Sequence, residues 1–314
     1  MIHICCAAER NYIAHSAAML VSAARNRGEN ALHIHYLHGP RFPRRAQSRL
    51  DRCLHSLGAT ISFSEILDEA VAGLATRGFT RKATWYRIRL PELLPDVERT
   101  LYLDVDTIVL SDLTPLWETD LGDNYLAAVT NIFQPNDVSR AAKLGIKPSS
   151  YFNAGVLLMN LELMRREGAS QAVYRFATQN PVQVSWRDQD ALNLVLGARR
   201  LPLHPRWNCM HAVLAFPAAV KVFGPESVAE ARRDPAIRHF EGPGWNKPWH
   251  VDYEGRDRDL YLRYRRQTPW PRVRLEGRRP RDRAARVMER LWPELERWRG
   301  RLGRARRRLV ERMP

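Results

Sequence analysis

The sequence is poor in features that mark several protein classes, beginning with cysteine. Only 4 of its 314 residues are cysteines, and they show no metal-ligand spacing. Cys5 and Cys6 are adjacent, so an extended backbone points their side chains to opposite faces. We therefore expect buried thiols without a chemical role, as is usual in a reducing compartment.

Long hydrophobic runs are also missing. A membrane-spanning helix needs about 20 apolar residues, and one of the best runs, residues 211–220, is interrupted by Pro217. Residues 1–8 have no positively charged leader and read directly as a buried strand. We therefore expect no secretory signal and a protein on the cytoplasmic side.

Glycine-rich phosphate loops are absent from the sequence. Neither G-x-x-x-x-G-K-[ST] nor a G-x-G-x-x-G that opens a helix after a strand is present. A bound nucleotide would therefore be held by a metal ion and by side chains.

The positive charge is concentrated at one end of the chain. Residues 272–314 contain 16 arginines and 6 acidic residues, and so carry +10 of the net charge of +16. Apolar residues recur there at helical spacing, at Val287, Leu291, Leu295, Trp298, Leu302 and Leu309. This pattern predicts a basic helical tail that lies on an anionic membrane, the alternatives being a solvated tail or one that binds nucleic acid or protein.

The first 200 residues alternate between short apolar runs and helical patterns. Apolar runs at 2–8, 31–37 and 61–63 are separated by helical patterns at 14–24 and 45–57. Strands separated by helices of this length predict an α/β fold with a mostly parallel, doubly wound sheet. Ligands bind beyond the carboxyl ends of the strands in such sheets.

Two carboxylates stand in an apolar segment, residues 100–110. If the segment is one strand, Asp104 and Asp106 leave it on the same side, with α-carbons about 6.5 Å apart. Two neighbouring carboxylates beside apolar residues repel each other unless a divalent cation lies between them. A cation held by so few side chains usually also binds substrate phosphates, so the motif predicts a metal that accompanies a phosphorylated ligand.

Four other segments carry polar residues in apolar surroundings. Arg87 lies in a predicted helix, where a buried guanidinium normally pairs with a carboxylate or a phosphate. Residues 151–160 predict a buried strand entered through small residues, and residues 187–193 a polar helix start. His239 and Lys247 frame a glycine turn near the end of the region.

Taken in order, these motifs resemble those of the retaining glycosyltransferases of family 8, the group of the bacterial lipooligosaccharide galactosyl- and glucosyltransferases. The resemblance covers about residues 1–270. It is carried by Ala7-Ala8-Glu9-Arg10-Asn11-Tyr12, Leu101-Tyr102-Leu103-Asp104-Val105-Asp106, the segment from Tyr151 to Asn160, Asp188-Gln189-Asp190, and His239-Phe240-Glu241-Gly242 with Lys247-Pro248-Trp249.

The resemblance implies a GT-A, Rossmann-like fold in a single catalytic domain, residues 1–271, followed by the tail, residues 272–314. It also implies a UDP-sugar donor and Mn²⁺, with Asp104, Asp106 and His239 as the metal ligands. By matching positions, the uridine would be held by Ala8, Glu9, Asn11 and Tyr12, and the diphosphate by Gly242 and Lys247. The rest of the donor site would comprise Arg87, Val105, Asn153, Ala154, Gly155, Asp188 and Gln189.

Three departures from the family pattern affect this assignment. Glu9 replaces the usual aspartate on the uracil side and is one methylene longer. Asn131 stands where relatives often carry aspartate near the acceptor, and the loop from Gly242 to Lys247 is about two residues longer than usual.

The reaction implied is transfer of galactose or glucose to a saccharide or glycolipid acceptor, such as a lipopolysaccharide core, at the inner face of the plasma membrane. Gln189 occupies the position opposite the leaving group and is a poor nucleophile, which favours front-side attack. Asp188 and Asp190 remain alternative nucleophiles. Two other functions stay open: a UDP-sugar-binding scaffold without activity, and a nucleic-acid-binding protein that uses the arginine tail. The second would leave the aspartates, His239 and Lys247 without a purpose, so we expect no nucleic-acid partner.

Overall fold

The computed structural model describes residues 1–74, 82–133, 139–181, 183–184, 186–242 and 244–277. The predicted tail helix, from Val287 to Leu309, lies outside these residues. The described residues fall into two compact units: Met1–Glu241 with Asp259–Arg272, and Gly242–Arg258 with residues 273–277. The domain boundary at residues 271 and 272 stays a prediction.

A seven-stranded sheet forms the centre of the first unit. In the described part of the chain, the strands are β1 (Ile2–Ala8), β2 (Leu32–His38), β3 (Ala59–Glu65), β4 (Arg99–Leu103), β5 (Thr107–Val109), β6 (Leu126–Thr130), β7 (Phe152–Asn160), β8 (Arg200–Pro202) and β9 (Ile237–His239). The sheet order is β3-β2-β1-β4-β7-β6-β8, while β5 and β9 form a separate two-stranded sheet. Only β7 runs antiparallel to its neighbours β4 and β6. The predicted α/β fold with a mostly parallel sheet is confirmed.

Helices connect the strands. They are α1 (Ile13–Arg25), α2 (Arg44–His55), α3 (Leu90–Leu93), α4 (Thr114–Trp117), α5 (Ser139–Lys143), α6 (Leu161–Arg166), α7 (Ala169–Gln179), α8 (Asp188–Leu196), α9 (His211–Ala215), α10 (Ala218–Phe223), α11 (Pro225–Arg233) and α12 (Arg258–Arg265). Within the described part of the chain, none of them combines the length and low polarity that a bilayer crossing requires.

Hydrophobic cores lie on both faces of the large sheet. Alternate residues of β1 enter different cores: Ile4 and Cys6 pack with α1 and α2, whereas Cys5 and Ala7 pack with Trp85, α7 and α8. The sheet is therefore covered by helices on both sides, as its apolar strands predict. The expectation that Cys5 and Cys6 are buried thiols on opposite faces is confirmed.

The prediction of one continuous strand through both aspartates is wrong. Strand β4 ends at Leu103, and β5 begins at Thr107 in the other sheet. The backbone N–H and the hydroxyl of Thr107 both donate to the carbonyl of Asp104, at 3.1 and 2.8 Å. These hydrogen bonds close a turn, so the two carboxylates approach each other around a bend and not along a strand.

Candidate functional site

The turn between β4 and β5 brings two carboxylates to the carboxyl end of the central sheet. The N–H of Asp104 donates to the carbonyl of Gly155 at 2.8 Å, which fixes the end of β4 against β7. Asp104, Val105 and Asp106 are all half-buried. This arrangement leaves the carboxylates accessible while their backbone is held firmly.

His239 completes a cluster with these aspartates. It pairs with Thr107 in the two-stranded sheet, which places it beside the turn. Its Nε2 lies 3.3 Å from Oδ1 of Asp106 and 3.9 Å from Oδ2 of Asp104. One potential ligand atom from each of the three residues lies within 4.8 Å of the others. Two carboxylates and one imidazole in this geometry suit a divalent transition metal.

Gly155 makes room for this cluster. Cβ at this position would lie 2.2 Å from Cε1 of His239 and 3.0 Å from Oδ2 of Asp104. Glycine therefore fits here because the imidazole packs against the strand backbone. The sequence also places Gly155 in the sugar site, and that role stays a prediction.

Arg87 bridges two acidic residues at the edge of the cluster. Its side chain lies in the 3₁₀ helix Lys82–Arg89 and is buried. Nη2 donates to Asp104 at 2.9 Å, and Nη1 donates to the carbonyl of Ala154. Nε donates to the carbonyl of Thr84 at 3.1 Å and lies 2.9 Å from a carboxylate oxygen of Asp188, with which it forms an ion pair. The expectation that this guanidinium pairs with a carboxylate is thus met twice, and the pairing orients Asp104.

Asp188 is the buried partner of this bridge. Burial raises the pKa of Asp188 to about 6; the charge of Arg87 opposes this shift, and that of Asp104 adds to it. A carboxyl group whose pKa lies so close to neutral pH, next to the cluster of Asp104, Asp106 and His239, is typical of functional sites.

Side-chain amides line β7 next to the cluster. The side chain of Asn153 donates to that of Asn131 at 3.3 Å, so these two residues meet although they come from different strand ends. Oε1 of Gln189 accepts the N–H of Ala154 at 3.0 Å, and its amide nitrogen donates to the hydroxyl of Tyr151 at 3.3 Å. Gln189 is therefore held in place from both ends of its amide.

Asp190 lies in a different environment from its neighbours. It is wholly buried and accepts hydrogen bonds from the hydroxyl of Tyr151 and the N–H of Trp186, each at 2.6 Å. It also pairs with Arg140, whose guanidinium lies 4.3 Å from the centre of the Trp186 ring. These contacts hold the carboxylate of Asp190 in place and stabilise the start of α8.

A cavity of about 540 Å³ lies where β1 and β2 end. Its walls comprise Glu9, Arg10, Asn11, Gly39, Pro40, Phe42, Asp68, Lys82 and Tyr86. Glu9 and Asn11 line it, whereas Ala8 is buried at the end of β1 and Tyr12 packs against His15; the part of these four residues in holding uridine stays a prediction. Burial, followed by the charges of Asp68 and Glu9, raises the pKa of Tyr86 to about 12. The size of the cavity suits a small organic ligand.

Gly242 and Lys247 belong to the second unit. Gly242 has φ +91°, a conformation that favours glycine, and Cβ there would meet the side-chain amide of Asn246 at 2.7 Å. Lys247 is buried, and its N–H donates to the carbonyl of Gly244 at 3.0 Å. Their part in phosphate binding stays a prediction.

Sequence reasoning missed several residues. Asn208 hydrogen-bonds both His239 and Asn153, and Phe42 and Tyr86 line the cavity. No local pattern marks these residues, because each reaches the site through tertiary packing.

Comparison with known proteins agrees with this geometry. The family model described as glycosyl transferase family 8 matches residues 3–252. General stress protein A of Bacillus subtilis (strain 168) is 30% identical over 277 residues, which cover 86% of this chain and 95% of that protein.

Solved structures of glycosyltransferases are also similar to this chain. The structure of galactosyltransferase LgtC in complex with donor and acceptor sugar analogues has a TM-score of 0.76 at 28% identity, covering 85% of this chain and 96% of that one. Glycosyltransferase GlyE of Streptococcus pneumoniae TIGR4 has a TM-score of 0.64 at 25% identity, with 84% of this chain and 61% of that chain covered. The GT-A fold implied by the motifs is confirmed, and the chain belongs to glycosyltransferase family 8.

Proposed function

We propose that the protein transfers a hexose, galactose or glucose, from a UDP-sugar to a saccharide or glycolipid acceptor, with retention of anomeric configuration. The observation that carries the proposal is the convergence of Asp104, Asp106 and His239 within 4.8 Å at the carboxyl end of the sheet. Its position agrees with the general rule for ligand sites in open α/β sheets.

The three residues fit Mn²⁺ as the cofactor. Carboxylates suit any divalent cation, and the imidazole favours a transition metal over Mg²⁺. The missing side chain at Gly155 leaves space for the imidazole beside the carboxylates. When bound, the ion would offset negative charge on the diphosphate as the bond between the sugar and UDP breaks.

The cavity that Glu9 and Asn11 line would hold the uridine. Its polar and aromatic walls offer both hydrogen-bonding groups and ring surfaces, as nucleoside recognition requires. Ala8 would support the site from the end of β1, and Tyr12 from the following helix. Gly242 and Lys247 would bind the diphosphate, where an ammonium stabilises the charge of the leaving group.

The sugar would lie beside the metal, against Arg87, Val105, Asn153, Ala154, Gly155, Asp188 and Gln189. Among these, Gln189 presents an amide whose oxygen already accepts the N–H of Ala154. Asp188 is paired with Arg87, and Asp190 with Arg140. Because these side chains are engaged, front-side attack is favoured: the acceptor hydroxyl attacks on the face that UDP leaves, and its proton passes to the departing phosphate oxygen.

The acceptor is proposed from the charge of the tail. Sixteen arginines in residues 272–314 would draw the protein to an anionic membrane, each contributing about 1 kcal/mol near such a surface. A membrane-held glycolipid, such as a lipopolysaccharide core, would then lie within reach. Deletion of residues 272–314 is expected to weaken vesicle binding and glycolipid transfer together; unchanged values for both would refute this location.

Donor screening tests the proposal as a whole. UDP release is measured with UDP-glucose and UDP-galactose in the presence of Mn²⁺ or of a chelator. We expect turnover with one donor, lost on chelation and in Asp106→Asn. Metal-independent turnover would refute the metal site, and UDP-sugar binding without hydrolysis or transfer would identify a scaffold.

A further inference from the structure

Asn208 lies behind the proposed metal ligands and is wholly buried. It ends the 3₁₀ helix Pro205–Asn208, directly before Cys209. The N–H of Cys209 donates to the carbonyl of Ile237 at 2.8 Å, and the N–H of His239 donates to the carbonyl of Cys209 at 3.1 Å. Two backbone hydrogen bonds therefore hold Asn208 at a fixed place beside β9.

The orientation of this amide follows from a backbone group. The N–H of Gly155 can only donate, and it lies 3.0 Å from one end of the Asn153 side chain, which must therefore be the oxygen. The same oxygen lies 2.9 Å from the amide of Asn208. That end of Asn208 must be its nitrogen, since two oxygens would repel each other.

The other end of Asn208 is consequently its oxygen, and it lies 2.8 Å from Nδ1 of His239. A carbonyl oxygen can only accept, so Nδ1 carries the proton of the neutral ring. Nε2 is then unprotonated, and it is the atom that lies 3.3 Å from the Asp106 carboxylate. An unprotonated ring nitrogen is what metal ligation needs.

We propose that Asn208 is a positioning residue that fixes the tautomer and the ring orientation of His239 for divalent-metal binding. The inference rests on the proposed function, because the metal site is part of it. It also links two parts of the site: the amide that orients His239 donates to Asn153, a residue proposed to contact the donor sugar. Metal ligation and the sugar site are thus joined by one hydrogen-bonded chain.

The chain ends at Asn131. The nitrogen of the Asn153 amide donates to the oxygen of Asn131 at 3.3 Å, so the three amides and the imidazole form a continuous series. Burying an amide without a partner is costly, whereas each of these three amides is paired. An aspartate at position 208 would still accept from His239 but would set a second oxygen against Asn153.

The tautomer can be measured without metal. In the metal-free protein with ¹⁵N-labelled histidine rings, correlation spectra distinguish a proton on Nδ1 from one on Nε2. His239 is assigned by comparison with His239→Gln. We expect Nδ1–H in the wild type and a shift towards Nε2–H in Asn208→Leu. A wild-type ring protonated on Nε2 would overturn the inference.

Metal affinity gives the second readout. Binding of Mn²⁺ is followed by the electron paramagnetic resonance signal of free Mn²⁺, with UDP present. Asn208→Leu is expected to weaken binding about 10- to 100-fold, as loss of a hydrogen bond to a ligating histidine does in other sites. Asn208→Asp should keep more of the affinity than Asn208→Leu, because its carboxylate still accepts the Nδ1 proton although its second oxygen faces that of Asn153.

The control is Asn124→Leu, which makes the same substitution at a turn where the amide donates to the carbonyl of Leu121 at 2.9 Å. Thermal unfolding confirms that each variant is folded. Wild-type protein that binds no Mn²⁺ would refute the metal site and the proposed function with it. A wild type that binds Mn²⁺ while Asn208→Leu binds equally well would refute the role of Asn208 alone.

Discussion

Gly155 lies directly against the imidazole ring of His239. A β-carbon at position 155 would lie 2.2 Å from Cε1 and 2.8 Å from Nδ1 of that ring. Packed interiors do not absorb an overlap of this size without moving one of the groups. The imidazole therefore occupies the space beside β7, and any side chain at position 155 would overlap with it.

Gly155→Ala is expected to displace His239 and to weaken Mn²⁺ binding at least tenfold, since one ligand is lost or misplaced. The added methyl should also lower the free energy of unfolding by about 1–3 kcal/mol, the usual cost of overpacking. Titration with Mn²⁺ and urea unfolding measure the two effects. The matched control is Gly197→Ala, where the new carbon would meet nothing within 4 Å. Unchanged Mn²⁺ affinity in Gly155→Ala would contradict the proposed ligand role of His239.

Arg87 offers a test of the electrostatic bridge. Arg87→Met leaves the buried carboxylate of Asp188 without its cation, and we expect the free energy of unfolding to fall by about 3–5 kcal/mol. Asp188→Asn removes that charge, so the double variant should recover about 1–3 kcal/mol relative to the sum of the single changes. Urea unfolding of all four proteins measures the coupling. Additivity of the two losses would show that the pair does not interact as described.

Much of the fold could be predicted from the sequence, because local patterns determine it. The helical pattern at residues 14–24 became α1 (Ile13–Arg25), and the apolar run at 31–37 became β2 (Leu32–His38). Each of these elements has one apolar face or a continuous apolar run, which is the strongest local signal available.

The break at Asp104 was not predicted, because apolar residues continue on both sides of the aspartates. What ends β4 is a hydrogen bond from Thr107 back to the carbonyl of Asp104, together with the pairing of β5 to β9. That partner strand lies far along the chain, and no window of the sequence around Asp104 contains it. Tertiary pairing overrides local pattern here.

The candidate site was likewise predictable only in part from the sequence. The aspartates could be proposed from their own spacing, whereas the meeting of His239 with them was implied only by the family resemblance. Asn208 carries no local signal, since its role depends on Asn153 and Gly155 in β7 and on His239 in β9. Amides that orient other side chains remain hidden until the contacts are known.

A cluster of histidines on β1 and β2 predicts acid sensitivity. His3, His33 and His35 lie together, and Nδ1 of His3 lies 3.1 Å from Nε2 of His35. Burial, with the charges of His33 and His3, lowers the pKa of His35 to about 4. The folded state therefore binds this proton more weakly than the unfolded state, whose pKa is 6.5.

Stability should accordingly be lost as the pH falls from about 6.5 to 4, by about 3 kcal/mol for His35 at most. His35→Gln lacks this titration, so its free energy of unfolding relative to the wild type should improve over the same interval. Urea unfolding at several pH values measures the difference. His55→Gln, which replaces an exposed histidine, is the control. A difference between the wild type and His35→Gln that does not vary with pH would contradict the burial of a neutral His35.

The contacts of Asp190 separate a structural role from a nucleophilic one. Its oxygens accept from Tyr151, Trp186 and Arg140, so an attack on the anomeric carbon would require breaking these hydrogen bonds. We expect Asp190→Asn to lower the melting temperature, because a buried ion pair is broken, while kcat falls less than tenfold at a temperature where the variant is folded.

Gln189→Ala should show the opposite pattern, with a larger loss of kcat and little change in melting temperature, since its amide borders the proposed sugar site. Thermal unfolding and UDP release with the preferred donor measure both quantities for the two variants. Mass spectrometry of the wild type and of each variant, incubated with donor, searches for a covalent glycosyl adduct. A folded Asp190→Asn protein with no turnover, or an adduct on Asp188 or Asp190 in the wild type, would replace front-side attack by double displacement.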